Sequence, residues 1–491
     1  MDRFISFLKS LRERQALLAL LAVAFGLRLY AVLMAKGIAQ DSAGYGFMAR
    51  DFLKGDVAKA LSSPLHPFYS FLISLVAFDP AHVEFAGRML SLLFGTFTLI
   101  PLYYLIREEV GEEEALLAGL FYAFHPYLAV YSGMLLTEAT YWGLLTLSIY
   151  FFWTGLKKEK AGRMIVSALL LAMAYLTRPE GIGYLFVFTV WIFLHGGVRK
   201  GWAKKAILLA GLLVPFVILV IPYVVHLHSE MGQWLISKKA LEAQGPLLTP
   251  SETSTRVHNL VRFLPFTLYH YLWAYHFTLW VFLFFGLVRA RQREVKYEWF
   301  IASIILFHIV SLATFNPSTI RFSIPVVPLA LFWAGAGVLE LQRRFQKLNL
   351  SQPAKWVFVL VVLALMTQMP RSLRPERGHR EYQQKAGIWM RENMAQDAII
   401  MGNSPIEGFY AEREFVMMPL EIPQLGNPGK SYEEIIDFVK RKNVRYIFFN
   451  ESASERNPDF VKSVSSSDLK ELRTIEEKGG NNQIRIYEVL Y

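Results

Sequence analysis

The chain alternates long apolar runs with short polar connections, a pattern typical of proteins that cross a membrane many times. A helix needs about 20 apolar residues to span the hydrocarbon core of a bilayer. The runs that approach this length lie at residues 15–34, 85–106, 113–131, 136–156, 163–178, 181–197, 205–226, 265–288, 299–315, 323–341 and 355–370. The pattern therefore predicts a polytopic α-helical membrane protein with eleven spans.

The basic connections between these runs predict the topology. The run HPFYSFLISLVAF at residues 66–78 is too short to span and is expected to lie at the interface. All the main basic clusters then fall on one side of the membrane, at residues 157–163, 199–205, 289–296 and 343–355. The positive-inside rule makes this side cytoplasmic, so we expect the N-terminus inside and the C-terminus outside.

The last part of the chain changes pattern and predicts a small α/β domain outside the membrane. Segments 398–401, 415–418 and 444–449 have the composition of strands, and 431–442 has that of a helix capped by Ser431. The stretch LRTIEEKGGNNQIRIYEVL predicts a hairpin that turns at 479–482. The expected domains are a transmembrane module at 1–371, including an extracytoplasmic first loop at 36–82, and a C-terminal domain at 372–491.

Composition agrees with this organisation and excludes several kinds of chemistry. The chain is 54% hydrophobic and only 19% charged, below the charged fraction of typical soluble proteins. Its net charge of +11 resides largely in the short connections, so nucleic acid is not an expected partner. There is no cysteine, which excludes disulfides, thiolate metal ligands and a cysteine nucleophile.

A set of charged residues maps to the outer face in this topology, although each lies beside or within an apolar run. The set is Asp41, Arg88, Glu138, Arg178, Glu180 and Arg321. Charges at membrane depth are costly and usually face a cavity or a partner. Simple salt bridges and interfacial anchors remain the alternative for any one of them.

Such a set suits transfer of a sugar from a lipid-linked phosphate. Arginine binds phosphate oxygens with two parallel hydrogen bonds, and a departing phosphate needs no general acid. The attacking hydroxyl needs one base, which a carboxylate can supply. We find no nucleotide-binding, serine-hydrolase or zinc-protease motif, and His66, His82 and His125 are too scattered to predict a metal site.

Over residues 15–340 the chain resembles the GT-C integral-membrane glycosyltransferases, in particular the branch of protein O-mannosyltransferases and aminoarabinose transferases (glycosyltransferase family 39). The matching places are Asp41 with Tyr45 and the pair Ala49-Arg50, SPLHPFYSFLISL, EFAGRMLSLLFGTFTLIPLYYLIRE, and LTRPEG with RFSIPVVPL downstream. The chain departs from the family at Ser42, where the family often has Glu after the Asp, and at Phe68, which replaces a proline.

The resemblance implies roles for individual residues. Asp41 matches the catalytic base of the family and Glu138 an acidic position expected to take part in catalysis. Arg88, Arg178 and Arg321 match cations near the phosphate of the donor, while Tyr45, His66 and Glu180 are expected to line the substrate pocket. No metal and no cofactor are expected, because the lipid-linked sugar is itself the substrate.

The resulting hypothesis is an inverting hexosyl or pentosyl transferase of the bacterial inner membrane, acting at the periplasmic face. Its partners would be a polyprenyl-phosphate sugar, membrane lipids, and a protein or glycolipid acceptor. Protein, lipid A, another glycolipid and a polysaccharide all remain open as acceptors. A flippase for lipid-linked sugars and a non-catalytic scaffold that binds lipid phosphate are the alternatives.

Overall fold

The computed structural model describes residues 13–195, 201–238, 250–289, 295–314, 319–374, 378–419, 431–451, 464–479 and 482–490. These residues fall into two compact units. The first, here called the helical unit, comprises Met1–Leu33, Pro64–Leu72 and Gly87–Arg374. The second, here called the mixed unit, comprises Met34–Ser63, Ile73–Ala86 and Pro375–Tyr491, so it contains most of the first loop as well as the C-terminal residues.

Helices are the regular secondary structure of the described residues in the first half of the chain. Its helices are α1 Glu13–Met34, α2 Gln40–Leu53, α3 Val57–Ser62, α4 Phe68–Ala77, α5 Val83–Phe97, α6 Leu99–Glu109, α7 Glu112–Phe124, α8 Pro126–Tyr131, α9 Glu138–Lys157, α10 Ala161–Thr177, α11 Gly181–Leu194 and α12 Trp202–Met231. A 3₁₀ turn at Pro80–His82 precedes α5.

The helices continue to residue 373. They are α13 Pro250–Ala274, α14 Leu279–Leu287, α15 Val295–Thr314, α16 Val327–Lys347 and α17 Pro353–Leu373, with a 3₁₀ helix at Ile320–Val326 before α16. Residues 239–249, between the predicted spans at 205–226 and 265–288, lie outside the described residues.

The described residues include six helical segments that are long and apolar enough to cross a bilayer. These are Arg14–Met34, Pro80–Glu109, Trp202–Met231, Val295–Thr314, Ile320–Lys347 and Pro353–Leu373. Each coincides with a predicted span, and the other predicted spans coincide with shorter or less apolar helices. The segment predicted to lie at the interface forms α4, whose ten residues are too few to cross. The chain is therefore a multi-pass membrane protein, as predicted.

The apolar run at 113–131 is divided into α7 and α8 at His125. Because Pro126 disfavours helical backbone at the residue before it, His125 is non-helical at φ −59° and ψ 121°. The break leaves carbonyls at the end of α7 without helical partners. Arg28, fully buried in α1, donates to the carbonyl oxygens of Tyr122 and Ala123, at 3.4 Å each. Sequence reasoning missed this buried arginine, although a charge within an apolar run is itself a signal.

The C-terminal residues fold as the predicted α/β structure. Helices α18 Glu381–Asn393, α19 Pro405–Ala411 and α20 Tyr432–Arg441 accompany strands β1 Ile399–Gly402, β2 Glu414–Met417, β3 Val444–Asn450, β4 Leu469–Glu476 and β5 Gln483–Val489. The sheet order is β2-β1-β3-β5-β4, with β1 parallel to β2 and β3 and with β5 antiparallel to β3 and β4.

The local signals in this segment are confirmed in detail. Ser431 caps α20, and its side chain and that of Glu434 each accept from the other's backbone N–H. The predicted hairpin is formed by β4 and β5. Residues 480 and 481 of its predicted turn lie outside the described residues.

Candidate active site

Three helix ends in the helical unit carry the charged residues that the sequence singled out. Glu138 is the first residue of α9, where a carboxylate is favoured by the helix dipole. Arg178 follows α10 in extended conformation, because Pro179 disfavours helical backbone at the residue before it. Arg321 lies in the 3₁₀ helix Ile320–Val326. All three are therefore placed by local interruptions of the helical backbone.

These residues form one network of ion pairs, here called the arginine cluster: Glu138, Arg178, Glu180 and Arg321. Glu138 Oε1 accepts from Arg178 Nη1 at 3.0 Å and also from Arg321 Nε. Arg178 Nη2 donates to Glu180 Oε1 at 2.7 Å. Glu138 is fully buried and Arg178 is 5% exposed. Glu138 therefore orients two guanidinium groups whose positions in the sequence are far apart.

A second set of contacts holds the 3₁₀ helix that carries Arg321. His308 Nε2 lies 2.9 Å from the carbonyl oxygen of Phe322, and Tyr184 Oη lies 2.6 Å from His308 Nδ1. A carbonyl only accepts, so His308 donates through Nε2 and its Nδ1 accepts from the tyrosine. The Phe322 ring lies 5.1 Å from the Arg178 guanidinium and 5.7 Å from that of Arg321. Sequence reasoning missed Tyr184 and His308, although a histidine within an apolar run could have drawn attention to the site.

The cluster contains two cations and two anions whose side chains are at most 19% exposed. Burying an ion pair costs desolvation free energy, which is recovered only with good geometry and further hydrogen bonds. Among the described residues, Glu138 Oε2 is buried and has no hydrogen-bond partner. A guanidinium carries several N–H donors, so it can bind a carboxylate and a phosphate at once. The arrangement is therefore suited to present oriented arginines to an anion.

Arg88 lies in the same unit, on α5, and is 6% exposed. The turn of α5 around it is fixed by Tyr69, whose hydroxyl donates to the carbonyl of Gly87 at 2.8 Å. One turn on, Ser91 donates to the carbonyl of Leu136 at 3.1 Å, two residues before Glu138. The helix of Arg88 is thus tied to the segment that leads into the arginine cluster.

His66 lies against tyrosine rings of the helical unit. Its ring centroid is 5.3 Å from that of Tyr175 and 5.3 Å from that of Tyr223, and it is 3% exposed. Tyr175 lies one turn before Arg178 on α10, and its hydroxyl donates to the carbonyl of Ile236 at 2.6 Å. His66 therefore lies in an aromatic surrounding, packed against the helix that ends at Arg178.

Asp41 and Tyr45 belong to the mixed unit, on α2. Asp41 is half-buried in the first turn of this helix and Tyr45 is 5% exposed. The hydroxyl of Ser42, where the family often has Glu, accepts from the backbone N–H of Ala39 at 3.2 Å. Ser42 thus satisfies a backbone donor at the start of the helix. No group of three or more His, Asp or Glu side chains suited to a metal ion occurs in the described ranges.

Comparisons with known proteins agree with this architecture. A family model described as dolichyl-phosphate-mannose-protein mannosyltransferase matches residues 62–226, a range that includes Arg88, Glu138 and Arg178 but neither Asp41 nor Arg321. No curated protein sequence gives a significant match.

Solved structures match over nearly the whole chain. ArnT from Cupriavidus metallidurans bound to undecaprenyl phosphate is 12% identical, with 96% of this chain and 97% of that chain covered and a TM-score of 0.68. The apo oligosaccharyltransferase of Archaeoglobus fulgidus is 11% identical, with 95% and 75% covered and a TM-score of 0.59. The oligosaccharyltransferase AglB of the same organism, in complex with an inhibitory peptide and a dolichol-phosphate, is 12% identical, with 96% and 74% covered and a TM-score of 0.55.

At these identities the likeness shows the fold. The chain has the GT-C membrane fold that its sequence predicted.

Proposed function

We propose that the protein is a glycosyltransferase that moves a sugar from a polyprenyl-phosphate donor to an acceptor at the periplasmic face of a bacterial inner membrane. The observation that carries the proposal is the arginine cluster, in which one buried carboxylate orients Arg178 and Arg321. The fold likeness supports it, since similar proteins bind undecaprenyl phosphate and dolichol-phosphate.

In this reaction the arginines would hold the phosphate of the donor and stabilise the charge that develops as it departs. Donors oriented before the reaction need no reorganisation in the transition state, and such electrostatic stabilisation is usually the largest single contribution to catalysis. Arg88 is proposed as a third cation for the same phosphate. Glu138, expected from the sequence among the catalytic residues, is proposed as a positioning residue, because its Oε1 accepts from both guanidinium groups.

Asp41 is proposed as the general base. The acceptor hydroxyl would lose its proton to the Asp41 carboxylate while its oxygen bonds to the anomeric carbon. The bond from that carbon to the phosphate oxygen breaks, and its electron pair leaves with the phosphate. A single displacement of this kind inverts the anomeric configuration. Tyr45, His66 and Glu180 are proposed to contact the substrates.

The test compares Asp41→Asn with Asp51→Asn, a matched control on the same helix whose carboxylate pairs with Lys59 at 3.4 Å. Both variants are assayed for transfer of labelled sugar from a synthetic polyprenyl-phosphate donor to bacterial envelope acceptors. Asp41→Asn is expected to lower kcat by about 10²-fold to 10⁴-fold, the usual contribution of a general base. Wild-type turnover in this variant would remove Asp41 as the base. Movement of labelled lipid across reconstituted vesicles without a new glycosidic bond would favour a flippase instead.

A further inference from the structure

Helix α2, which carries Asp41, packs within the mixed unit against the short helix α19. Gly46 faces the ring of Phe409 so closely that a Cβ atom at this position would overlap the ring. The neighbouring Phe47 stacks on Phe415 with ring centroids 5.6 Å apart and meets Phe409 edge-on at 6.0 Å. A residue without a side chain thus allows a close approach between the first loop and the C-terminal residues.

Arg50, at the other end of α2, fixes the same contact. Its Nη1 donates to the carbonyl of Phe409 at 2.7 Å, its guanidinium lies 4.0 Å from the centre of the Phe409 ring, and its Nε donates to the carbonyl of Pro80 at 3.2 Å. The carboxylate of Glu412 lies 3.7 Å from its Nη2. Burial lowers the pKa of Arg50 to about 10, so it stays charged at neutral pH.

The start of α2 is held by residues at the start of α18, Arg380 and Glu381. Arg380 Nη1 donates to the carbonyl of Ile38 at 3.1 Å, and its backbone lies against Gly37, which has a φ of +70°. Lys36 forms a 3.0 Å ion pair with Glu381. Burial lowers the pKa of Arg380, whereas the charges of Glu407, Tyr382 and Asp41 favour its protonated form. Arg380 therefore holds the backbone three residues before Asp41, and its charge favours the Asp41 carboxylate.

Helix α19 is itself fixed to the sheet by buried polar contacts. The carboxyl group of Glu407 accepts from Ser404 Oγ, from Gln383 Nε2 at 3.1 Å and from Asn450 Nδ2 at 2.7 Å. Asn403 and Asn450, at the carboxyl ends of the parallel strands β1 and β3, exchange two further hydrogen bonds of 2.8 and 2.9 Å. The surface that receives α2 is thus continuous with the sheet.

We propose that Arg380 is a positioning residue for Asp41, and that the C-terminal α/β fold serves as the platform on which the helix of the proposed base is held. The positioning role of Arg380 in catalysis rests on the proposed function, in which Asp41 is the general base. The attachment of residues 36–53 to this platform is a physical property that can be measured without any reaction.

The experiment uses full-length protein in detergent and compares Arg380→Gln, Arg380→Lys and the control Arg473→Gln. Arg473 is an exposed arginine of β4 whose guanidinium lies 5.4 Å from the Trp389 ring, and its replacement makes the same change in net charge. Hydrogen exchange reports the attachment directly. Arg380→Gln is expected to raise the exchange rate of peptides covering 36–53 by about tenfold, with the sheet peptides unchanged, because it removes the bond to Ile38 and the attraction to Asp41.

Enzyme kinetics then test whether Arg380 positions Asp41 for catalysis. In Arg380→Gln, kcat is expected to fall by about tenfold to a hundredfold with little change in the donor KM, since misplacing a reacting group by about 1 Å costs up to this much. The acidic limb of the pH profile should move to higher pH, because the charge of Arg380 favours the Asp41 carboxylate. Arg380→Lys keeps the charge, so its acidic limb should stay near that of the wild type.

The outcomes separate the two proposals. Faster exchange at 36–53 without any detectable transfer by the wild type would support the platform and contradict the enzyme. An active wild type whose exchange, kcat and pH profile are the same in Arg380→Gln and Arg473→Gln would overturn the positioning role. A loss of kcat in Arg380→Gln without faster exchange at 36–53 would also overturn it.

Discussion

Replacing Glu138 with Gln would leave two guanidinium groups facing each other across a neutral amide. In the wild type, Glu138 is fully buried and accepts from both Arg178 and Arg321. Removing one partner from a buried ion pair typically costs about 3–5 kcal/mol, because the remaining charge is left uncompensated. We therefore expect Glu138→Gln to lower the free energy of unfolding by about 3–5 kcal/mol.

A matched control and a double variant separate charge from packing. Glu180 accepts from Arg178, and its side chain is 19% exposed, so Glu180→Gln is expected to cost about 1–3 kcal/mol. In Glu138→Gln/Arg321→Gln the second change removes a stranded cation, so part of the stability should return. The two changes are close enough for such coupling to be measurable in a double-mutant cycle.

The measurement is thermal and denaturant unfolding in one detergent, with sugar transfer assayed on the same preparations. Because the shared acceptor of the two arginines loses its negative charge, transfer by Glu138→Gln should fall by about 10²-fold, similar to the loss of one oriented donor. A Glu138→Gln protein that is as stable and as active as the wild type would refute the positioning role of this carboxylate.

Three further predictions concern other parts of the molecule. Arg28→Leu removes the donor to the carbonyls at the end of α7 and should lower stability by about 1–3 kcal/mol in the same unfolding assay, whereas an unchanged protein would show that the capping is dispensable. His308→Phe removes the bond to Phe322 and should raise the donor KM by about tenfold, with His308→Gln closer to the wild type. Burial raises the pKa of Glu407 above its ordinary value of 4.5, so between these two pKa values the folded state binds more protons than the unfolded one. The free energy of unfolding should fall as pH rises through this range. Glu407→Gln should weaken this pH dependence, and an unchanged slope in the variant would contradict the prediction.

Membrane architecture and the C-terminal fold could be predicted because both leave local signals. A span is recognised by its own apolar residues, and the helix at Tyr432–Arg441 by its cap and its charged first turn. The break at His125 was not predicted, because a single proline changes the mean hydropathy of a long apolar run very little. Its neighbour Pro126 was visible, but the buried Arg28 that satisfies the freed carbonyls is close only in the folded chain.

The sequence singled out the charged residues that form the arginine cluster, but it did not show how they pair. Charge in an apolar environment identified Glu138, Arg178 and Arg321, since such charge is costly wherever it occurs. One oxygen of Glu138 accepts from both arginines. This arrangement depends on how three helix ends, far apart in the sequence, meet in the fold. The contact of Arg50 with Phe409 likewise joins residues 359 positions apart, which no local pattern reveals.

The central claim is that the arginine cluster binds the phosphate of a polyprenyl lipid. Its most direct test is the dissociation constant of polyprenyl phosphate for detergent-purified wild type, Arg178→Gln, Arg321→Gln and the control Arg163→Gln, from the other end of α10. Loss of a hydrogen bond to a charged group costs about 1.5–3 kcal/mol, so the first two variants should bind about tenfold to a hundredfold more weakly, with the control unchanged. Equal binding by all four proteins would contradict the claim.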